Sequence, residues 1–227
     1  MRPALAIFFL ILGGVALAAL VSLRTTHPDP LPSDAPPDYG GPAKSAKPDP
    51  AAGASNAAAE AAFDKVQAGA MRVTMEIVGK GTIEMEFYPK AAPKTVAHLV
   101  DLAGKNFWDD IKVHRVDAEV VQLGDPTSRD AVPSDFELKG VGSHGSGTTV
   151  PLEVSAKLPN LKNTVGLART QDRDSGDSQF FINLTDNPAF DFDYCVFGRV
   201  TKGTDLVSKI TKGDVIKHIQ IYESRQK

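Results

Sequence analysis

The sequence predicts a mainly β fold, either a closed antiparallel barrel or a two-sheet sandwich. Short segments of alternating apolar and polar residues recur between residues 71 and 222, as expected for strands with one face in a core. Helical spacing is confined to two short stretches of this range, and no strand-helix-strand rhythm indicates a parallel sheet. Clusters of Gly, Asp, Ser and Pro separate the segments, as turns do. These three observations favour an antiparallel arrangement.

The predicted domain opens with a hairpin and a helix. Residues 72–78 and 82–87 alternate apolar and polar side chains on either side of a turn at 79–81. Pro93 marks the start of a helix, and apolar residues at helical spacing continue to Gly104, which ends it. The hairpin therefore has one face in water, and the helix has one apolar side.

Further strands and a second helix complete the domain. Alternation or β-branched content predicts strands at residues 112–116, 119–123, 150–154, 164–169, 180–183, 195–200 and 215–222. Residues 203–210 have helical spacing. The Gly-rich segment 142–147 could cradle a phosphate, but no Lys-Ser or Lys-Thr pair follows it, so an ordinary loop is predicted.

The amino-terminal segment carries a membrane signal. Residues 4–23 contain no charge and are long enough to span a bilayer as a helix. They form either a retained anchor or a signal peptide cleaved near the Ala-Leu-Ala at 16–18, and the length of the apolar run favours the anchor. The positive-inside rule, read from Arg2 and Arg24, places the rest of the chain outside the cytoplasm. We expect a single-pass protein of the cytoplasmic membrane with its domain on the periplasmic side, or a periplasmic or secreted protein after cleavage.

The chain divides into four parts by composition. Residues 1–23 are the anchor or signal peptide, and residues 24–70 are a linker rich in Pro and Ala. Eight of the sixteen prolines lie between residues 24 and 50, which favours an extended spacer there, and the Ala-rich stretch at 51–70 predicts a short marginal helix. Residues 71–223 form the globular domain, and residues 224–227 are a polar tail.

Composition excludes several classes of function. The formal net charge is -3 and the sequence pI is about 5.9, so the chain lacks the basic character of a nucleic-acid-binding protein. Cys195 is the only cysteine, which excludes an internal disulfide, and the five histidines lack ligand-like spacing. We expect no metal, no cofactor and a monomer.

Two stretches contain residues that a buried strand alone does not explain. Adjacent strand residues point to opposite faces, so Phe180 and Phe181 cannot both enter the core. Arg115, preceded by His114, lies inside an apolar run, where a guanidinium needs water, a partner or a ligand. An apolar ring and a guanidinium that converge would form a pocket for an apolar group next to a carbonyl.

These stretches belong to five ordered motifs. They are Val-His-Arg-Val at 113–116, Gln-Leu-Gly-Asp at 122–125, Gly-Leu-Ala-Arg-Thr at 166–170, Ser-Gln-Phe-Phe-Ile-Asn at 178–183 and Val-Phe-Gly-Arg-Val at 196–200. In order and spacing the chain resembles the cyclophilin family of peptidyl-prolyl cis-trans isomerases, most closely the bacterial type, over residues 71–223. The resemblance implies a closed eight-stranded antiparallel barrel capped by two helices. It also implies isomerase activity on proline-containing unfolded or exported polypeptides.

The resemblance assigns roles to individual residues. Arg115 matches the catalytic arginine, and Gln122 matches the glutamine that holds this arginine and the substrate backbone. The proline slot is matched by Phe181, Val120, Phe190 and Tyr194. The segment that binds the residues preceding proline is matched by Ala168, Arg169 and Thr170. His114 and Gln179 are expected to be structural residues beside the site.

Two departures from the family pattern bear on activity. Residues 117–121 form a segment one residue shorter than usual, and the aromatic floor of the slot is replaced by Glu119 or Val120. Ala189 stands where many relatives carry an aromatic residue. A slot that lacks a ring loses about 1–3 kcal/mol of apolar contact, so we expect a reduced but real isomerase. The alternative is a catalytically weak or inactive module that binds proline peptides or acts as a chaperone.

Overall fold

The computed structural model describes residues 61–63, 65–66, 69–154 and 158–222. The predicted anchor or signal peptide at 1–23, most of the linker and the tail at 224–227 lie outside these residues. Within the described ranges, no helix combines the length and apolarity needed to cross a membrane.

Eight strands and two helices make up the domain. The strands are β1 (Met71–Ile77), β2 (Gly81–Phe87), β3 (Arg115–Val116), β4 (Val120–Leu123), β5 (Thr164–Leu167), β6 (Phe180–Asn183), β7 (Val196–Lys202) and β8 (Ile216–Tyr222). The helices are α1 (Pro93–Gly104) and α2 (Thr204–Val207), with single 3-10 turns at Pro126–Asp130, Pro133–Asp135 and Pro188–Phe190. Every strand pair is antiparallel, in the order β3-β4-β6-β5-β7-β2-β1-β8. The predicted mainly β, antiparallel fold is confirmed.

The sheet curls so that its two ends approach each other. Strands β3 and β8 stand at the ends of the strand order, and the chain just before β3 bonds to the chain just before β8. The N–H of Val113 donates to the carbonyl of Asp214 over 2.9 Å, and the N–H of Ile216 donates to the carbonyl of Ile111 over 2.8 Å. The prediction of a fully closed barrel goes further than these bonds and stays a prediction.

Helix α1 covers one part of the sheet with its apolar side. Its buried residues recur at helical spacing and are Thr95, Val96, Leu99, Leu102 and Ala103. Pro93 occupies its first turn, and the Glu153 carboxylate accepts hydrogen bonds from the N–H groups of Lys94 and Thr95. This carboxylate satisfies donors that a helix start leaves without intrahelical partners.

Some predicted element boundaries are wrong. Residues 150–154 form only an isolated bridge from Val150 to Gly176, because Pro151 has no N–H to continue a ladder. The strand predicted at 112–116 is reduced to β3, since Lys112 and Val113 pair with the chain at 213–215 instead of β4. Helix α2 ends three residues before the predicted 210.

Strand β8 also departs from simple alternation. Glu76 pairs with His218, but the next residue, Ile77, pairs with Ile216, so β8 bulges between them. The bulge resets the faces, and Ile216 and Ile219 are both buried although they are three residues apart.

Phe180 and Phe181 separate onto opposite faces of β6, as predicted. Phe180 enters the main core, where its ring makes edge-to-face contacts with Trp108 and Phe197 at centroid distances of 6.0 Å and 6.3 Å. The indole N–H of Trp108 donates to the carbonyl of Ser178, which fixes the start of β6. Phe181 belongs to a separate cluster on the other face.

A second satellite cluster lies under the chain before β1. Residues 61–63 and 65–66 are helical, and Phe63 is 1% exposed against Tyr88, Leu158 and Val196. The end of the linker is therefore packed onto the domain.

Candidate active site

One row of side chains crosses four neighbouring strands. Arg115 of β3 pairs with Gln122 of β4, Gln122 pairs with Phe181 of β6, and Phe181 pairs with Gly166 of β5. Directly paired residues of an antiparallel sheet point to the same face. The register therefore brings a guanidinium, an amide and an apolar ring together from residues that are up to 66 positions apart in the chain.

The apolar end of the row is a cluster of rings. Phe181 makes edge-to-face contacts with Phe190 at a centroid distance of 6.0 Å and with Tyr194 at 5.7 Å. Val120 and Ala168 complete the cluster, and both are fully buried. Phe181 itself is 0% exposed, whereas Tyr194 is only partly buried and is the member of the cluster that meets solvent.

Of the two residues that were expected to replace the floor aromatic, only Val120 lies in the ring cluster. Val120 is 0% exposed and packs in the ring cluster, whereas Glu119 is partly exposed. Ala189, the other departure, is exposed on the loop that carries Phe190. The cluster thus combines the rings of Phe181, Phe190 and Tyr194 with the aliphatic side chains of Val120 and Ala168.

Gly166 supplies the space into which the Phe181 ring fits. A Cβ atom built on Gly166 would lie 2.8 Å and 2.9 Å from two carbons of that ring and closer still to Cζ. Sequence reasoning did not single out this residue, although a glycine within a strand signals close approach of another group. Gly166 therefore contributes to the site because it has no side chain and so leaves room for the Phe181 ring.

Arg115 is held from two sides. Its Nε donates to Oδ2 of Asp117 over 2.8 Å, and its Nη2 lies 2.6 Å from the same oxygen. On the other side, Nη1 donates to Oε1 of Gln122 over 3.4 Å. The side chain of Arg115 remains 29% exposed, so its head is fixed at the surface of the site.

Gln122 begins a chain of side-chain amides that leads to a loop. Its Nε2 donates to Oε1 of Gln179 over 3.0 Å, and Nε2 of Gln179 donates to the carbonyls of Gly142 and His144. Both amides are buried, and each is oriented by its partners. Gln179, expected to be structural, therefore links the Arg115 side of the site to the loop at 142–147.

Two buried carboxylates hold that loop. Asp125 accepts hydrogen bonds from the N–H groups of Gly142 and His144, and Asp177 accepts from the Ser146 hydroxyl and from the N–H of Gly147. Backbone N–H groups of this Gly-rich segment thus point at the protein's own carboxylates, and the prediction of an ordinary loop agrees with this arrangement. Neither carboxylate was recognised as a site residue from the sequence.

His114 directly precedes Arg115 in the chain, and its side chain is buried. Burial lowers the pKa of His114 to about 4, with the charges of Arg115 and Lys212 adding to the effect and that of Asp125 opposing it. The ring is therefore neutral at physiological pH. Its place next to β3, 8% exposed, fits the expected structural role.

Arg169 and Thr170 are engaged with the surrounding loops. Nε of Arg169 donates to the carbonyl of Asp193 over 2.8 Å, and its guanidinium lies 4.7 Å from the centre of the Tyr194 ring. Thr170 bonds to Ser175 through its N–H and its hydroxyl. Burial raises the pKa of the Tyr194 phenol, and the charge of Arg169 and, to a smaller extent, that of Arg115 oppose the shift.

The only cysteine in the sequence, Cys195, is buried. Burial raises the pKa of the Cys195 thiol to about 12, so this residue is an apolar wall residue. Among the residues that the structure describes, no three His, Cys, Asp or Glu side chains lie close enough to hold a metal ion.

Fold and site together define a class of protein. A curled sheet of eight antiparallel strands carries an arginine, a glutamine and an apolar ring cluster on one face, in the motif order of a cyclophilin-like isomerase. The family described as cyclophilin type peptidyl-prolyl cis-trans isomerase/CLD matches residues 72–225, about two thirds of the chain. The chain therefore belongs to the cyclophilin-type family of peptidyl-prolyl cis-trans isomerases.

Individual relatives agree with this assignment. The chain is 37% identical over 135 residues to a probable peptidyl-prolyl cis-trans isomerase of Brucella abortus, covering 59% of this chain and 68% of that protein. It is 34% identical over 140 residues to peptidyl-prolyl cis-trans isomerase B of Bacillus subtilis, covering 61% of this chain and 90% of that protein. A cyclophilin of Cryptosporidium parvum, solved in the presence of the dipeptide Ala-Pro, shares the fold with a TM-score of 0.57 at 20% identity, over 67% of this chain and 99% of that one.

Proposed function

We propose that this protein isomerises X-Pro peptide bonds of unfolded or exported polypeptides outside the cytoplasm, with Arg115 as the catalytic residue. The row of Arg115, Gln122 and Phe181 across three neighbouring strands carries the proposal. It puts a charged donor, an amide and an apolar ring side by side, as an X-Pro amide and its pyrrolidine ring require. The similar fold solved with Ala-Pro supports proline-containing peptides as ligands.

The chemistry demands only a modest stabilisation of the transition state. Rotation about an X-Pro bond breaks amide conjugation and crosses a barrier of about 18–20 kcal/mol. Uncatalysed, it takes tens to hundreds of seconds. A rate of about a hundred per second needs roughly 5–6 kcal/mol of differential stabilisation. No nucleophile is needed, because no covalent bond is made or broken.

Arg115 contributes a hydrogen bond that is strongest in the twisted amide. As conjugation is lost, the prolyl nitrogen becomes pyramidal and gains a lone pair that a guanidinium N–H can bind. In a partly desolvated site such a charged donor contributes about 2–3 kcal/mol. The contacts with Asp117 and Gln122 hold the head of Arg115 at the rim of the ring cluster, where the donor is needed.

The ring cluster receives the pyrrolidine ring after one side chain moves. Phe181 is wholly buried, so a prolyl ring reaches it only when a covering side chain turns away. Tyr194 is the partly exposed member of the cluster and lies edge-on to Phe181. Its rotation, away from Phe181 and past Arg169, opens the slot.

Substitution of Arg115 tests the catalytic role. With the full chain and an Ala-Pro-Phe peptide, two-dimensional NMR exchange or a protease-coupled assay measures isomerisation. Arg115→Ala should lower kcat/KM by about 30- to 150-fold, which corresponds to the 2–3 kcal/mol above. Arg72→Ala is the matched control and should keep full activity, because it removes a guanidinium of β1 that stacks over the Tyr222 ring of β8. Equal activity of Arg115→Ala and the parent would remove Arg115 from the mechanism.

The second candidate is a module that binds proline peptides without accelerating their isomerisation. The observation that favours it is the complete burial of Phe181 together with the aliphatic Val120 in the floor position. A folded parent chain that binds an Ala-Pro peptide, leaves its exchange rate unchanged and still binds as Arg115→Ala would select this function.

The location outside the cytoplasm rests on the uncharged residues 4–23. A reporter that is active only outside the cytoplasm, fused after residue 227 and expressed in a bacterium, should be active. The same fusion without residues 1–23 is the control and should be inactive. Recovery in the membrane fraction with residues 1–23 intact would indicate an anchor, and a shortened soluble product would indicate cleavage. Activity of the control fusion, or none from the full fusion, would contradict the proposed location.

A further inference from the structure

The turn between β3 and β4 is organised around Asp117. The N–H of Asp117 donates to the carbonyl of Val120, which closes the turn. In return, Oδ1 of Asp117 accepts the N–H groups of Glu119 and Val120 over 2.8 Å and 2.9 Å. An aspartate that accepts hydrogen bonds from the backbone two residues ahead is a common way to fix a short turn. One oxygen of this carboxylate is therefore committed to the backbone.

The other oxygen is committed to Arg115. Oδ2 of Asp117 receives Nε of Arg115 at 2.8 Å and lies 2.6 Å from its Nη2. Burial alone would raise the pKa of Asp117, but the N–H groups of Val120 and Glu119 and the charge of Arg115 outweigh it and leave the pKa below its ordinary range. The carboxylate is ionised at physiological pH, so the pair is a charge-assisted contact.

The geometry of the pair decides which N–H groups remain for a substrate. A guanidinium has five N–H groups arranged as a rigid planar fork. Asp117 occupies the edge formed by Nε and Nη2, and Gln122 takes one hydrogen of Nη1. Nη1 and Nη2 therefore each keep one hydrogen. These two N–H groups are the part of Arg115 that can face a bound peptide.

We propose that Asp117 is a positioning residue for isomerisation, fixing the rotamer of Arg115 so that the two free N–H groups of its guanidinium face the X-Pro bond. The inference rests on the proposed function, since it assigns Asp117 a role in the reaction that Arg115 assists. Both ends of the contact are anchored, because the carboxylate is held by the turn and the turn is held by the β3–β4 pairing. A long flexible side chain at the surface thereby acquires a single orientation.

Two variants separate positioning from turn stability. Asp117→Asn keeps an oxygen for the N–H groups of the turn but presents an uncharged amide to Arg115, whereas Asp117→Ala loses both contacts. Both should lower kcat about tenfold, because the freed arginine samples other rotamers, and leave KM within about twofold. Only Asp117→Ala should also lower the thermal midpoint. Asp205→Asn, which removes an exposed carboxylate of α2 paired with Lys209, is the control and should change neither.

A spectroscopic readout accompanies the kinetics. In the parent chain the Nε–H of Arg115 is hydrogen-bonded, so its NMR signal should be resolved and slow to exchange with water. In Asp117→Asn that signal should shift and exchange faster. If Asp117→Asn has the parental kcat or a higher one, the positioning role is wrong. The proposed function would still stand in that case, because the parent chain is active. An inactive parent chain would instead overturn the proposed function, and the positioning role with it.

Discussion

The fit of Phe181 against Gly166 makes the substitution Gly166→Ala a sensitive probe of the site. The new methyl carbon would lie 2.8 Å and 2.9 Å from Cε2 and Cε1 of Phe181. Carbon atoms in contact are normally about 3.5–4.0 Å apart, so the ring must retreat by roughly 1 Å or more. Phe190 and Tyr194 pack edge-on against the ring, which is 0% exposed, so its retreat must displace one of these neighbours.

The expected loss of stability in Gly166→Ala follows from the cost of overpacking. Forcing an extra methyl group into a packed cluster costs about 1–3 kcal/mol. A loss of that size lowers the melting temperature of a domain of this length by about 2–9 °C. The shifted ring also narrows the proline slot, so kcat/KM should fall by about tenfold or more.

Calorimetry and the NMR exchange assay on the same samples measure both effects. Gly104→Ala is the matched control, because a Cβ at the end of α1 meets nothing within 4 Å. Its melting temperature should stay the same or rise slightly, and its activity should be unchanged. A Gly166→Ala chain with parental stability and activity would show that the Phe181 ring is not confined by β5, and the account of the site would fail.

Three further outcomes follow from buried or strained groups. Phe192 is 65% exposed and has a φ of 66°, a strained conformation for an aromatic residue. Phe192→Gly should therefore raise the free energy of unfolding, measured by urea titration, by about 0.5–1 kcal/mol. A lower urea midpoint for the variant would contradict this. Because the pKa of Cys195 is about 12, iodoacetamide at pH 8 should leave it intact in the folded chain and modify it after denaturation, as mass spectrometry can check. The pKa of His114 is about 4 when folded and 6.5 when unfolded, so the unfolded state binds more protons between these values and stability falls as pH falls from 6.5 to 4. The loss is at most about 3.4 kcal/mol, and His114→Gln should show a correspondingly shallower decline over this range, whereas parallel curves would refute the assignment.

Local patterns in the sequence predicted the elements that depend on local physics. Alternation gave the β1–β2 hairpin within one residue, and Pro93 and Gly104 gave the bounds of α1. The opposite directions of Phe180 and Phe181 followed from strand geometry alone. The resemblance predicted Arg115, Gln122 and Phe181 as site residues, because they lie in motifs that can be recognised by their order in the sequence.

Other features depend on which strands become neighbours. The alignment of Gln122 with Phe181 and Gly166 is a matter of register between strands dozens of residues apart, and no local pattern specifies it. The bulge in β8 likewise depends on the partner strand. Gly166 was missed because its role is to leave space for the Phe181 ring, which comes next to it only when β5 pairs with β6.

The sequence by itself determined the class of fold, the family and the residue types of the site, because periodicity, turn residues and ordered motifs are properties of short stretches. Only the tertiary structure decided that Asp117 contacts Arg115, that Gln122 and Gln179 connect Arg115 to the loop at 142–147, and that Tyr194 lies edge-on to Phe181. The physical reason is that hydrogen bonds and ring contacts act over a few ångströms. Which residues come that close is set by strand pairing and loop closure, not by neighbourhood in the chain.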